Sequence, residues 1–187
     1  IDPDEDPANM LDLARAYVDM GDADAARRLL NRVGVIDGKT GALTLKFTDV
    51  HGQHHVTWVD DDHIQVFDNG ETSSRVIEIQ VSTGEIIWTY KGKPVHQFFS
   101  SYISGAERLW SGSVLVCEGA SGRLFEVTRD GDVVWEWINP FENKRRNGDV
   151  SVTIYRAHRY PADHPAFVGR SLDPGKFEKL NKAHGLR

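Results

Sequence analysis

Eight histidines are the residues of this chain best suited to chemistry near neutral pH, where an imidazole can serve as nucleophile, base or acid. His51, His54 and His55 stand close together, but on a strand His54 and His55 point to opposite faces. No carboxylate falls at a recognisable ligand spacing from them, so no metal is expected. Asp60-Asp61-Asp62 lacks the glycine and distal Glu of a calcium loop and reads as a solvated hairpin turn. His158 is flanked by Arg156 and Arg159; the two guanidiniums could bind an anion, although ion pairs with the chain's many carboxylates are the favoured reading. His96 is ambiguous. Phe98, Phe99 and Tyr102 are candidates for lining an aromatic-substrate pocket, with core packing favoured. The single cysteine, Cys117, excludes an intramolecular disulfide and a multi-thiolate metal site; inside the apolar run Ser113-Val114-Leu115-Val116-Cys117 it reads as a buried thiol.

The elements that must position these residues are strands. From His54 to Tyr90 apolar and polar residues alternate in four short runs broken by Asp, Asn, Gly, Ser or Thr, the pattern of a four-stranded antiparallel meander. Asp68-Asn69-Gly70 is first of all turn chemistry, because Asn and Gly tolerate positive φ. A tight turn followed by a strand bearing a large apolar residue recurs at Asp37–Gly41, Ser82–Glu85 and Arg129–Asp132, at intervals of about 43 to 47 residues. Trp88 and Trp135 follow two of these turns and are expected to fill the gap between neighbouring sheets. Strands are expected near 42–47, 54–60, 63–68, 75–81, 85–90, 107–110, 113–118, 123–128, 133–138 and 151–156. The fold class is therefore mainly β: a partial β-propeller of about two and a half four-stranded blades over 35–161.

Before the blades, 1–34 reads as an acidic lead-in followed by two amphipathic helices, 8–20 and 23–33, forming a helical hairpin. After them, 162–187 reads as an irregular tail with a short helix around Lys176 to Ala183. A formal charge of −6 argues against non-specific nucleic-acid binding, and Lys144-Arg145-Arg146 reads as a solvated loop. No apolar run reaches the length of a membrane span. Ile1 as first residue suggests a processed or partial chain. Because propellers close with four to eight blades, self-association or completion by other chains is expected.

Two resemblances overlie this reading. LDLARAYVDMGDADAARRLL resembles a tetratricopeptide unit, and still more the C-terminal helical region of FimV-type bacterial inner-membrane and pilus-assembly proteins. The segments HHVTWVDDDHIQVFDNG, SRVIEIQVSTGEIIWTY, FFSSYISGAERLWSGSVLVCEGASGRLFEVTRDGDVVWEWINP and YRAHRYPADHPAF resemble the bacterial arylsulfotransferase family of β-propellers, over about 54–175. Matching motif elements are His54, Phe67-Asp68-Asn69-Gly70 and Ser74-Arg75. The resemblance implies transfer of a sulfuryl group between phenolic compounds, a histidine nucleophile, an arginine on the sulfuryl oxygens, no cofactor, and a periplasmic or secreted setting.

On that resemblance the catalytic candidates are His54 and Arg75, with His55, Asn69, Phe99, Tyr102 and His158 binding substrate. A phenolic sulfate donor and a phenol acceptor would be the partners. Departures from the family pattern are His55, where Asp is usual, and Trp110-Ser111 with Ser113 in place of a Pro-Asn-Gly-Asn turn. The motifs leave open which histidine is the nucleophile. The alternative is a non-catalytic scaffold in which blades and helical hairpin assemble into an oligomer or filament.

Overall fold

A computed structural model describes residues 43–144 and 148–183, Gly185, and, before them, Ala16, Asp19–Gly21, 33–36 and Lys39. Apart from Ala16, Asp19–Gly21 and Val33, the helical hairpin read from the sequence lies outside these residues, as does the acidic lead-in. Strands β1 (Val33–Ile36) and β2 (Leu43–Phe47) form an antiparallel pair. Next come two four-stranded meanders. The first contains β3 (Gln53–Trp58), β4 (His63–Asp68), β5 (Arg75–Gln80) and β6 (Ile86–Lys91); the second contains β7 (Gly105–Arg108), β8 (Val114–Glu118), β9 (Arg123–Val127) and β10 (Val133–Ile138). In both, sequence neighbours are ladder neighbours and every pairing is antiparallel, which is the build of a propeller blade. A short pair, β11 (Asn143–Lys144) and β12 (Val150–Ser151), precedes an extended segment, 152–160. The tail holds one helix, α1 (Glu178–Ala183), at the expected place.

Strands β4, β5 and β8 are buried on both faces, which is why they read as largely apolar runs. One face of the first blade presents Phe67, Val76 and Tyr90 to Ala106, Val114, Val116, Phe125 and Val127 of the second. Phe98, from the connection between blades, fills the centre: its ring lies 5.4 Å from Phe67, 5.4 Å from Tyr90 and 5.5 Å from Phe125. The opposite face of the first blade packs Ile64, Val66, Ile77 and Ile79 around Val50, with Phe47 at its border.

Two differences from the sequence reading have physical causes. Val33, read as the last residue of the second helix, instead opens β1, whose residues Val33 to Ile36 pair with β2. Of the strand expected over 151–156 only Ser151 lies in a ladder, because the following stretch is held by single contacts, such as Ile154 N to the Gly119 carbonyl, rather than by a neighbouring strand.

A polar clamp repeats between units. On the first blade Glu78 faces Trp88 across the ladder; Arg129 of the second blade donates to Glu78 at 2.8 Å and lies 4.7 Å from the Trp88 ring centroid. Arg108 also bonds Glu78. On the second blade Glu126 faces Trp135, and Arg159 bonds Glu126 while lying 4.4 Å from the Trp135 ring centroid. Trp88 and Trp135 thus sit at matching places, as their spacing implied.

Candidate functional site

Both Arg75 and His54 lie near the starts of parallel strands flanking β4, so they share one end of the first blade. The register separates them by face, since His54 stands opposite Phe67 whereas Arg75 stands opposite Asp68. Arg75 Nε donates to Asp68 Oδ2 at 2.8 Å and Nη2 to the Asp49 carbonyl at 2.5 Å, with Asp49 Oδ2 3.2 Å away. Burial works against its charge, but the bond to Asp68 and the two carboxylates outweigh it, and the Arg75 pKa is raised. A cavity of about 270 Å³ opens here, lined by Asp49, His51, Asp68, Arg75 and Lys91. The second blade repeats the arrangement, since Arg123, the first residue of β9, pairs with Glu118 at 3.1 Å and Glu136 at 2.5 Å.

Other sequence candidates at this end serve the joint between blades. Asn69 is buried; its Nδ2 donates to the Ser100 carbonyl and its Oδ1 accepts from Ser104 Oγ at 3.3 Å. Phe99 is half-buried and donates its N–H to Glu118 Oε1 at 3.0 Å. Tyr102 is exposed. His54 Nδ1 lies 3.1 Å from the Gly52 carbonyl oxygen.

A different group gathers at the first strands of the units. The β3–β4 register breaks between His54 and Thr57, and His55 adopts φ 50° within the break. Such an irregularity re-aims a side chain, and histidine tolerates left-handed backbone better than most residues. The His55 ring consequently reaches Gly105 of β7, where a Cβ would stand only 2.7 Å from Nδ1. It meets His158 edge-on with centroids 5.8 Å apart. His158 Nδ1 lies 3.2 Å from Glu107 Oε2. Burial, then the Arg156 and His158 charges, push the His55 pKa down to about 4, so its imidazole is neutral at physiological pH. Its Nδ1 is buried without a partner.

Matched positions explain this meeting. Val59 N donates to His63 O and Leu109 N to Ser113 O, so counting back from these turns places His55 level with Gly105. The shared clamp role of Arg108 and Arg159 places Arg156 at that level too, and Thr57, Glu107 and His158 one step along. Arg75, Arg108, Arg123, Arg129 and Arg159 each reach a carboxylate; Arg156 forms no ion pair among the described residues. Cys117 lies behind this group, its thiol pushed up to about 11 chiefly by burial and so inert as a nucleophile. No set of three metal-ligating side chains occurs among the described residues.

The structure therefore brings together His55 and His158 from the sequence candidates, while Arg75 is engaged by Asp68 and Asp49, and Asn69 by Ser100 and Ser104. Sequence reasoning underweighted Arg156, because only the three-dimensional match to His55 and Gly105 distinguishes it from Arg159.

No known protein-family profile matches this chain, and no curated protein matches it. Among solved structures it is similar to a protein of unknown function from Bacteroides caccae, with 15% identity, a TM-score of 0.46, and coverage of 64% of this chain and 45% of that one. It is also similar to virginiamycin B lyase from Staphylococcus aureus, with 18% identity, a TM-score of 0.46, and coverage of 68% and 44%. The chain spans less than half the length of either protein.

Proposed function

We propose that the chain carries an arylsulfotransferase-like site, moving a sulfuryl group between phenolic compounds, and that the site lies at His55, His158 and Arg156. The observation that carries this reading is a neutral imidazole beside a guanidinium without a carboxylate partner, which is what capture of an anionic sulfuryl group by a nitrogen nucleophile requires. The sequence resemblance supports the same chemistry.

In this mechanism Arg156 holds the sulfuryl oxygens. His55 reacts through Nε2, since Nδ1 is buried: its lone pair forms the N–S bond as the S–O bond to the donor aryl group breaks. Protonated His158, with Nδ1–H directed at Glu107, gives its Nε2 proton to the leaving phenolate. An acceptor phenol then returns a proton to His158 as its oxygen attacks sulfur, and the N–S electron pair goes back to His55. His54 and Arg75 take no step in this mechanism; Arg75 is bound by Asp68 and Asp49.

The deciding assay uses p-nitrophenyl sulfate with a phenol acceptor. Turnover lost in His55→Ala and Arg156→Ala, but retained in His54→Ala, supports the assignment; equal turnover in all four proteins refutes it.

A second reading, an assembly scaffold, is favoured by one observation. Segment 152–160 occupies the place of a first strand in a third unit yet joins no ladder among the described residues. A second chain could supply the missing strands. Concentration-dependent sedimentation without turnover would favour this reading, and a monomer at all concentrations would remove it.

A further inference from the structure

Two of the three residues in the proposed site, Arg156 and His158, lie on a segment without strand ladder, so something other than backbone pairing must fix them. We propose that the Arg159–Glu126–Trp135 clamp is the positioning device of the site, holding segment 154–160 as a strap across the second blade. The inference builds on the site described above, but the strap and its fastening are defined independently of any reaction there.

The strap has two fastenings. At its start Ile154 N donates to the Gly119 carbonyl at 2.9 Å, and the Ile154 carbonyl oxygen lies 3.7 Å from Cys117 Sγ. Gly119 is required there, since a side chain would collide with the Ile154 and Ile103 carbonyl oxygens. At its end Arg159 inserts between Glu126, whose side chain is 12% exposed, and the Trp135 ring. Between the fastenings Arg156 and Tyr155 are exposed, and His158 has only its contact with Glu107 and the edge of His55. The first blade supplies the internal comparison. There Glu78 and Trp88 hold Arg129 and Arg108 of a fully laddered sheet, so that clamp adds to an interface already fixed by Phe67, Phe98 and Phe125. On the second blade the same device holds a segment with little else to hold it.

Release of the strap has a spectroscopic signature that a merely stabilising contact lacks. The groups facing His55 are Arg156 and His158 on the strap and Gly105 and Glu107 on β7. With the strap in place His55 titrates near 4; with it released, burial and the influence of Arg156 and His158 are withdrawn, and titration returns towards 6.5.

The experiment is an NMR pH titration of all eight imidazoles combined with amide exchange in the whole chain, for wild type, Arg159→Leu and, as a milder variant, Glu126→Gln. The expected result is a rise of the His55 midpoint by at least one unit and a loss of protection of roughly tenfold or more confined to 154–160. Trp135→Leu should reproduce it from the other side of the clamp. A His55 midpoint that stays near 4 with unchanged exchange in the folded variants overturns the inference. Wild type that shows the strap behaviour but no sulfuryl transfer would sink the proposed reaction while leaving the strap standing.

Discussion

Arg75 and Arg156 are both guanidiniums close in sequence or space to a histidine, yet the protein uses them in opposite ways. Arg75 is spent on Asp68 and Asp49, and Arg123 repeats its role one blade later. Arg156 has no carboxylate partner among the described residues and stands level with His55 and Gly105. A motif match identifies the first; availability for an anion distinguishes the second. A charge that recurs in every unit with a partner is part of the repeat, whereas a charge that replaces glycine at a matched position is an addition to it.

The largest expected difference is in turnover. His55→Ala should reduce sulfuryl transfer from p-nitrophenyl sulfate by about a thousandfold, on the order of 4 kcal/mol in the barrier, while His54→Ala changes it by less than about threefold. Comparable losses in both would erase the distinction between the two regions.

Next in size is a stability effect at the other region. Arg75→Ala removes the charge partner of the Asp68 carboxylate, whose side chain is 3% exposed and keeps only the bond from His51 N–H at 2.7 Å, and should lower unfolding free energy by about 3 kcal/mol in a urea titration. Arg156→Ala should change it by less than about 0.5 kcal/mol, as for an exposed side chain with no carboxylate partner, 5.5 Å from the Tyr155 ring centroid. If Arg156→Ala is the more destabilising, the guanidinium is structural after all.

Much of the fold was legible in the sequence because both faces of β4, β5 and β8 are buried and the turns between strands are rich in Gly, Asn and Asp. Even the matching of Trp88 with Trp135 could be read from spacing. The site was legible only in part. His55 and His158 were recognisable as imidazoles, but simple alternation sends His54 and His55 to opposite faces and gives no sign of the break at His55 that turns its ring towards Gly105. Nor does any local pattern say that Arg159 finds Glu126 while Arg156 finds no carboxylate. That outcome depends on which residues of β7 and β9 lie beneath the strap.

A smaller effect is expected from Gly105→Ala. The added methyl would press on His55 Nδ1 at 2.7 Å, so the ring must move. Turnover should fall roughly tenfold, about 1.4 kcal/mol, with the far-UV spectrum unchanged. Full activity in this variant would mean that His55 need not lie against β7.

A further effect concerns acid. With a folded-state pKa of about 4 against 6.5 for the unfolded chain, the unfolded state takes up the His55 proton first as pH drops. Stability from this residue is therefore present above pH 6.5 and is lost progressively between 6.5 and 4. His55→Gln should flatten that part of a chemical-denaturation profile, whereas Arg75→Ala should leave its slope in place.

The decisive measurement is the location of the transferred group. Protein treated with p-nitrophenyl sulfate without acceptor, quenched under basic conditions that preserve phosphoramidate-like N–S bonds, can be digested and mapped by mass spectrometry. The expected result is a sulfuryl adduct on His55, absent in Arg156→Ala. An adduct on His54 retained in Arg156→Ala, or turnover without any adduct on His55, would contradict the assignment of the reaction to the first strands of the blades.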